Sequence, residues 1–265
     1  MVLILVVILT IIIFLYVQNN WIYVNSINIE VEEFNLNNIY KIVHLSDLHN
    51  KLFGKKQKRL INKIKKLEPN IIVFTGDIVD SYTLNKEPAI ILMEELIKIA
   101  KVYYVTGNHE IRTNTYDELK EKFRNIGVVV LDDEIQSLNI GNNKVDLIGI
   151  KDYINSYSTE LKLNKIIKNT NNYKILLVHR PERINIYSNH NINLVFSGHA
   201  HGGQVRIPFI GGVIAPSQGL FPKYTEGMNE VNNTKLVISR GLGNSAFPFR
   251  ILNRPEIVSV TIKNK

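Results

Sequence analysis

Five short apolar runs in this chain each stop on a side chain able to bind a metal, and that recurring stop constrains the fold more than any other feature. "IYKIVHLSD" ends in Asp47 and continues to Leu48-His49, "IIVFTGD" ends in Gly76-Asp77, and "VYYVTGNHE" ends in Gly107-Asn108-His109-Glu110. "YKILLVH" stops at His179, and "INLVFSGHAH" at Gly198-His199-Ala200-His201. Apolar runs of this length bounded by Gly and Asp read as buried strands. Helices are expected between them, over Lys55–Leu67, "PAIILMEELIKIA", "YDELKEKFRNI", Thr159–Lys168 and a short stretch after Pro181. Strands alternating with helices imply βα units and a parallel sheet. The carboxyl ends of such strands line one crevice. The metal-binding side chains are therefore expected to meet there. The runs "VVVLD", "IQSLNI" and "KVDLIGI", with "LVISRG" and "EIVSVTI" near the C-terminus, call for a second sheet.

The pair His199 and His201 is weak evidence by itself. In an extended backbone, residues i and i+2 share a face, so both imidazoles are expected on one side. What gives the pair weight is company: five of the seven histidines fall at strand ends. The chain has no cysteine, which excludes disulfides, thiolate ligands and a cysteine nucleophile. Ligands drawn from His, Asp and Asn suit Mn, Fe, Zn or Mg. A pair of ions needs a shared carboxylate between them, at a spacing of roughly 3.5–4 Å. The glycines before Asp77, Asn108 and His199 are expected to let the backbone turn tightly.

The ordered set "DLH…GD…GNHE…H…GHAH" resembles the calcineurin-like metallophosphoesterase superfamily, with all five motif blocks in order from Tyr40 to His201. "SGHAHGGQVRIP" and "SRGLGNS" are similar to the membrane-associated bacterial branch, which includes YkuE-type phosphoesterases and UDP-diacylglucosamine pyrophosphatase-like enzymes. The resemblance implies an α/β fold in four α/β/β/α layers with two mixed sheets. It implies one divalent ion on Asp47, His49, Asp77 and His201, and a second on Asp77, Asn108, His179 and His199, with Asp77 bridging. It further implies hydrolysis of a phosphate ester or pyrophosphate by a hydroxide bridging the metals, with His109 protonating the leaving group and Asp80 orienting His109. The family's GDxxDRG continuation is missing, since Ser81-Tyr82 follow Asp80. No arginine contact of that kind is expected.

"MVLILVVILTIIIFLYV" opens the chain, with one polar side chain, Thr10, and no charge. It reaches the short end of a membrane span, and Trp21 and Tyr23 stand where an interfacial belt would lie. A basic leader and a small-residue cleavage site are both absent, against a cleaved signal peptide. The expected organisation is an anchor over 1–22, a linker over 23–38 and a metallophosphoesterase domain over 39–265. The first charges after the span are Glu30, Glu32 and Glu33, and no Lys precedes Lys41. That distribution favours a catalytic domain outside the cytoplasmic membrane.

The net charge of +8 is carried partly by "KKQKRLINKIKKLEP", whose apolar residues fall at helical spacing. A solvated helix face explains this run without a polyanionic partner. His44, inside the first strand, is expected in the core, and His190 on the surface. Glu110 is expected to support the ligands, and Arg180, Arg206 and Arg240 are left open between phosphate contact and structural pairing. Four functions compete: a membrane-anchored phosphoesterase acting on a small phosphorylated or lipid-linked substrate, a UDP-2,3-diacylglucosamine-type pyrophosphatase, a non-catalytic metal-dependent envelope-binding protein, and a nuclease. The intact ligand set opposes the third. The anchor and the lack of interleaved aromatic and basic residues oppose nucleic acid.

Overall fold

The computed structural model describes residues 1–264 other than 35, 37, 84, 114, 168–170 and 245–246. Helix α1 (Val2–Asn20) leads into β1 (Tyr23–Glu30) and β2 (Tyr40–Leu45). Then follow α2 (Lys58–Lys65), β3 (Ile71–Thr75), α3 (Glu87–Leu96), β4 (Lys101–Val105), α4 (Asn108–Arg112), α5 (Tyr116–Ile126) and β5 (Val129–Val130). The second half holds β6 (Glu134–Ile140), β7 (Asn143–Gly149), α6 (Ser156–Ile166), β8 (Tyr173–Leu177), α7 (Ile184–Asn189) and β9 (Leu194–Ser197). Four two-residue strands come next: β10 (Arg206–Ile207), β11 (Gly211–Gly212), β12 (Ile214–Ala215) and β13 (Gly219–Leu220). The chain closes with β14 (Gly227–Val231), β15 (Thr234–Ile238) and β16 (Glu256–Lys263). Lys168, the expected end of the helix now seen as α6, and Ser245, the last residue of "SRGLGNS", lie outside the described residues.

Two six-stranded mixed sheets result, in the orders β1-β16-β2-β3-β4-β5 and β14-β15-β9-β8-β7-β6. Their layering follows from the two-residue period of a strand. Ile42, Val73, Tyr103 and Val105 point inward against Leu147, Ile175, Leu177 and Phe196 of the other sheet. The alternate residues Val43, Phe74 and Tyr104 face outward onto Leu60, Leu92 and Phe123 of α2, α3 and α5. On the far side Ile148, Leu176 and Val195 carry Leu163, Ile184 and Tyr187 from α6, α7 and its lead-in. Both sheets are covered on both faces, giving the α/β/β/α sandwich. His44 is fully buried between the sheets, its Nε2 2.8 Å from Thr75 Oγ1, and burial pulls its pKa down to about 3.

The expected linker over 23–38 is corrected here. Tyr23–Glu30 is an eight-residue edge strand running parallel to β16 in register from Tyr23↔Glu256 to Glu30↔Lys263. Ile29 within it, and Val31, Phe34 and Leu36 beyond it, are buried in the inter-sheet core. The reason is the apolar spacing within an otherwise polar stretch, which matches a strand and its exit even though Asn and Glu dominate the composition. The folded body thus begins at Tyr23, directly after the helix.

Truncation separates the two boundaries. Burying each of those four side chains contributes about 1.5–3 kcal/mol, together comparable to a domain's net stability. Removal of residues 1–22 is expected to leave a cooperative thermal unfolding transition in a melting experiment. Removal of residues 1–38 is expected to abolish it.

Candidate metal centre

Strands β2, β3 and β4 run parallel in one sheet and β8 and β9 run parallel in the other. Their carboxyl ends meet at one edge of the sandwich, and all seven expected ligands follow them. Asp47, His49, Asp77 and His201 each offer an atom within 4.8 Å of the others, and so do Asp77, His179 and His199. Asp77 belongs to both groups. Its Oδ2 lies 3.2 Å from His179 Nε2 and 3.8 Å from His49 Nε2. Asp47 Oδ1 is 3.3 Å from His201 Nε2. Asn108 is buried, and its Oδ1 has no hydrogen-bond partner within the protein.

The backbone departs from expectation in a telling way. Asp47, His49, Asp77, His199 and His201 all adopt positive φ, between 47° and 63°. Left-handed conformations at non-glycine residues cost about 1–3 kcal/mol each and persist only where the surroundings enforce them. His199-Ala200-His201 is therefore a turn beyond β9, corrected from the extended segment read in the sequence. Instead of sharing a face, His199 turns to His179, with nitrogens 3.1 Å apart, and His201 turns to His49 at the same distance. The two imidazoles serve opposite halves of the site. The glycines also differ from expectation. Gly76 has φ +89°, but Gly107 and Gly198 do not have positive φ. They are required by closeness, since a Cβ would sit 2.2 Å from Asp77 Oδ1 at Gly107 and 2.3 Å from Asp47 Oδ2 at Gly198.

These donors fit a pair of divalent ions. Two pairs of imidazole nitrogens face each other at 3.1 Å, an arrangement that a shared cation resolves. Burial pushes the Asp47 carboxyl up to about 7, lowers His49 to about 4, and holds His199 and His201 well below the usual imidazole range. Neutral imidazole is the ligating form. Against its own burial, Asp77 is held well below the usual carboxylate range by His179, and His179 is raised to about 10 by Asp77. Positive charge at that point is what the carboxylates demand. His179 Nδ1 is 2.7 Å from the Thr75 carbonyl oxygen, to which it donates when its Nε2 ligates.

Several further residues brace these loops. Glu110, fully buried, accepts backbone N–H groups from Asp77 at 2.8 Å, Gly107 at 2.7 Å and Val79 at 3.1 Å. It clamps the β3 and β4 loops together from beneath, in agreement with its expected supporting place. Arg250 is buried and donates to the carbonyls of Gly243, Arg240 and Asn253, while Gly243 N–H donates to Asp47 O at 2.6 Å. Asn253 Nδ2 donates to the His201 carbonyl at 2.7 Å. Arg180 is gripped by Asp152 through two bonds of 2.7 and 3.1 Å and sits beside His199. Arg206 and Arg240 instead pair with Glu226, which assigns them to structure. His109 Nδ1 accepts the Ser81 N–H at 3.0 Å, with Asp80 Oδ1 at 3.5 Å. Asp80 is thus next to His109 as expected, but Ser81 makes the direct bond and places the neutral ring's proton on Nε2. No local pattern marks Ser81, Asp152, Arg250 or Asn253. His190 lies at the surface, its Nδ1 2.8 Å from the Ile186 carbonyl.

Residues 40–203 match the calcineurin-like phosphoesterase family. The chain belongs to it. This calcineurin-like phosphoesterase is 32% identical over 231 residues to the uncharacterized metallophosphoesterase YkuE of Bacillus subtilis (strain 168), covering 85% of this chain and 79% of YkuE. It is 25% identical over 230 residues to the phosphodiesterase YaeI of Escherichia coli (strain K12), covering 84% of this chain and 82% of YaeI. Its fold is shared by TT1561 of Thermus thermophilus, with a TM-score of 0.54, 12% identity, and coverage of 77% of this chain and 91% of that one. The phosphoesterase is a metal-dependent phosphoric ester hydrolase, and its clustered Asp and His side chains are consistent with two divalent metals.

The clamp can be tested apart from the ligands. Glu110→Gln replaces one acceptor oxygen by an NH₂ that faces a backbone N–H. We expect a loss of about 2–4 kcal/mol in denaturant unfolding together with weaker Mn or Zn binding in calorimetry. Unchanged stability would show that the clamp is dispensable. Addition of Mn or Zn to the chelated wild-type protein is expected to raise its melting temperature, because the ions compensate the buried carboxylates.

Proposed function

We propose that this chain is a membrane-anchored dinuclear phosphodiesterase whose substrate is a lipid-linked or cell-envelope phosphate. Asp47, His49, Asp77 and His201 would hold one ion, and Asp77, Asn108, His179 and His199 the other. The observation that carries this reading is the position of Asp77 between the two clusters, its one oxygen facing His49 and His179 together. Two ions held there supply an activated water and stabilise charge on the phosphoryl oxygens.

The chain's own residues supply the rest. His109 reaches the site beside His49, with ring centroids 4.6 Å apart. Its backbone N–H donates to Asp77 Oδ1 at 2.8 Å, which ties its position to the bridging carboxylate. With Nδ1 occupied by Ser81, Nε2–H of the neutral ring is the group free to hydrogen-bond the departing alkoxide, and giving it a proton would require the imidazolium form, whose Nδ1 side faces Asp80 Oδ1 at 3.5 Å. Asp80 accepts the Tyr82 N–H at 3.0 Å, shaping the turn that carries Ser81. Arg180, fixed by Asp152, supplies a guanidinium at the His199 side where a phosphate oxygen would lie. The name of YaeI favours a diester over a monoester. The helix Val2–Asn20, long and apolar enough to cross a membrane, supports anchoring. The absence of Lys and Arg between residues 21 and 40 supports an extracytoplasmic domain.

Two substitutions test the assignment. Asp77→Asn is expected to abolish hydrolysis of bis-nitrophenyl phosphate and to reduce bound metal, read by elemental analysis; an active variant with two ions would refute the bridging role. His109→Ala is expected to retain both ions. It should lose about 10²–10⁴ in kcat on alkyl esters and far less on a nitrophenyl ester, and an equal loss on both would remove the proton-donor role.

A further inference from the structure

The apolar helix and the metal site lie at the same end of the molecule, and the strand register requires it. β16 runs antiparallel to β2, pairing Val258 with His44. Its first residue, Glu256, therefore lies beside the carboxyl end of β2, from which Asp47 and His49 follow. β1 runs parallel to β16 and pairs Tyr23 with Glu256. The helix end at Asn20 thus emerges at the edge that carries the ligands.

Hydrogen bonds make the connection rigid. Asn19 Oδ1 accepts the Arg250 N–H at 3.2 Å, and Gln18 Oε1 accepts the Asn253 N–H at 3.2 Å. Asn253 in turn holds the His201 carbonyl, and Arg250 supports the Asp47 loop through Gly243. One residue, Asn253, therefore separates the polar end of the helix from His201, and two, Arg250 and Gly243, separate it from Asp47. Lys51 Nζ also donates to the Asn19 carbonyl.

Around this junction the surface is unusually apolar. Outside the helix, every exposed phenylalanine among the described residues lies between 209 and 249. Phe209 is completely exposed at the β10–β11 tip, with Ile210 beside it; Leu220 ends β13 and Phe221 follows it, and Phe249 and Leu252 are exposed on either side of Arg250-Ile251. These segments are joined, since Val205 bridges Ile251 and Arg206 N–H donates to the Ile251 carbonyl at 3.0 Å. Between the 206–211 loop and Leu252 lies an open cavity of about 520 Å³, lined by Arg206 and otherwise by Ile207, Pro208, Phe209, Ile210, Gly211 and Leu252. Tyr23, next to the exit, carries Arg240 and Arg254 against its ring, at 5.8 and 5.4 Å. Aromatic rings flanked by cations are the composition of a bilayer interface, and an apolar patch of this kind marks a contact surface.

We infer that the loops 206–221 and 247–252 form a collar that inserts into the bilayer around the helix exit, so that the metal site opens onto the lipid headgroup layer. This rests on reading the helix as a membrane span. It narrows the substrate to a phosphate carried at headgroup depth on a lipid. A freely soluble ester would gain nothing from the collar. With no spacer between the helix and β1, the site is held at the bilayer surface at all times.

The absence of cysteine allows a direct test in the full chain. Single variants Val7→Cys, Phe209→Cys, Leu220→Cys and Asn142→Cys are labelled with an environment-sensitive fluorophore. Asn142 lies in the β6–β7 turn, at the opposite sheet edge. The proteins are reconstituted in vesicles of phosphatidylcholine and phosphatidylglycerol with nitroxide-labelled acyl chains. Quenching and a blue shift at positions 7, 209 and 220, with none at 142, is the expected result. Quenching at 7 alone overturns the collar and leaves the span standing. Quenching at 209 and 220 without 7 overturns the span and keeps the collar, whereas quenching at none of the three, or at 142 as well, overturns the oriented collar.

A functional arm uses the double variant Phe209→Ser with Phe221→Ser. Hydrolysis of a vesicle-borne lipid phosphodiester should fall several-fold while the rate on soluble bis-nitrophenyl phosphate is kept. Equal rates or equal losses on both substrates overturn the link between collar and substrate.

Discussion

Three buried carboxylates, Asp47, Asp77 and Glu110, follow strands that end at the same edge, and the cost of burying them, with Asp77 repelling both of the others, is the constraint around which the structure is arranged. Burying unpaired negative charge is costly. The surroundings answer it with oriented hydrogen bonds and with imidazoles placed beside the carboxylates. Glu110 takes three backbone N–H groups, Asp47 takes the N–H of His199, and Asp77 takes that of His109. All of these bonds except that from Gly107 also join one loop to another, so the same contacts that lower the electrostatic cost fix the positions of the candidate ligands. Burial and the Asp77 charge still hold the Glu110 carboxyl up to about 7.

The sandwich makes this arrangement possible. Loops after β2, β3 and β4 come from one sheet and those after β8 and β9 from the other, and the inter-sheet core sets the distance between them. A side chain such as Phe196, packed edge-on to His44 at 5.2 Å, is therefore part of the site's geometry without touching it. The left-handed turns at five ligand positions are tolerated because both flanks of each turn are pinned by strands and by the loop-to-loop bonds.

The same edge receives the helix. A parallel edge strand that follows an N-terminal helix carries that helix to the site end, and Asn19 and Gln18 meet the loops that hold Asp47 and His201. The apolar helix and the candidate metal site are thereby joined by hydrogen bonds, with the exposed aromatic loops beside them.

Much of this was legible in the residues alone. Strand-ending Asp47, Asp77, Asn108, His179 and His199, together with the alternation of strands and helices, already implied parallel sheets and a shared crevice, because side-chain period and strand polarity are local properties. His44 in the core and Glu110 as a support followed from the same reasoning. What the sequence could not express was contact between distant segments: the edge strand Tyr23–Glu30 beside β16, Ser81 on His109, Asp152 on Arg180, and Asn253 between the helix and His201. The divergence of His199 and His201 toward opposite halves of the site was likewise a tertiary decision. Backbone conformation at a strand end is imposed by the partners that close around it, and those partners are distant in the chain: His199 and Asp47, joined by a hydrogen bond, are 152 residues apart.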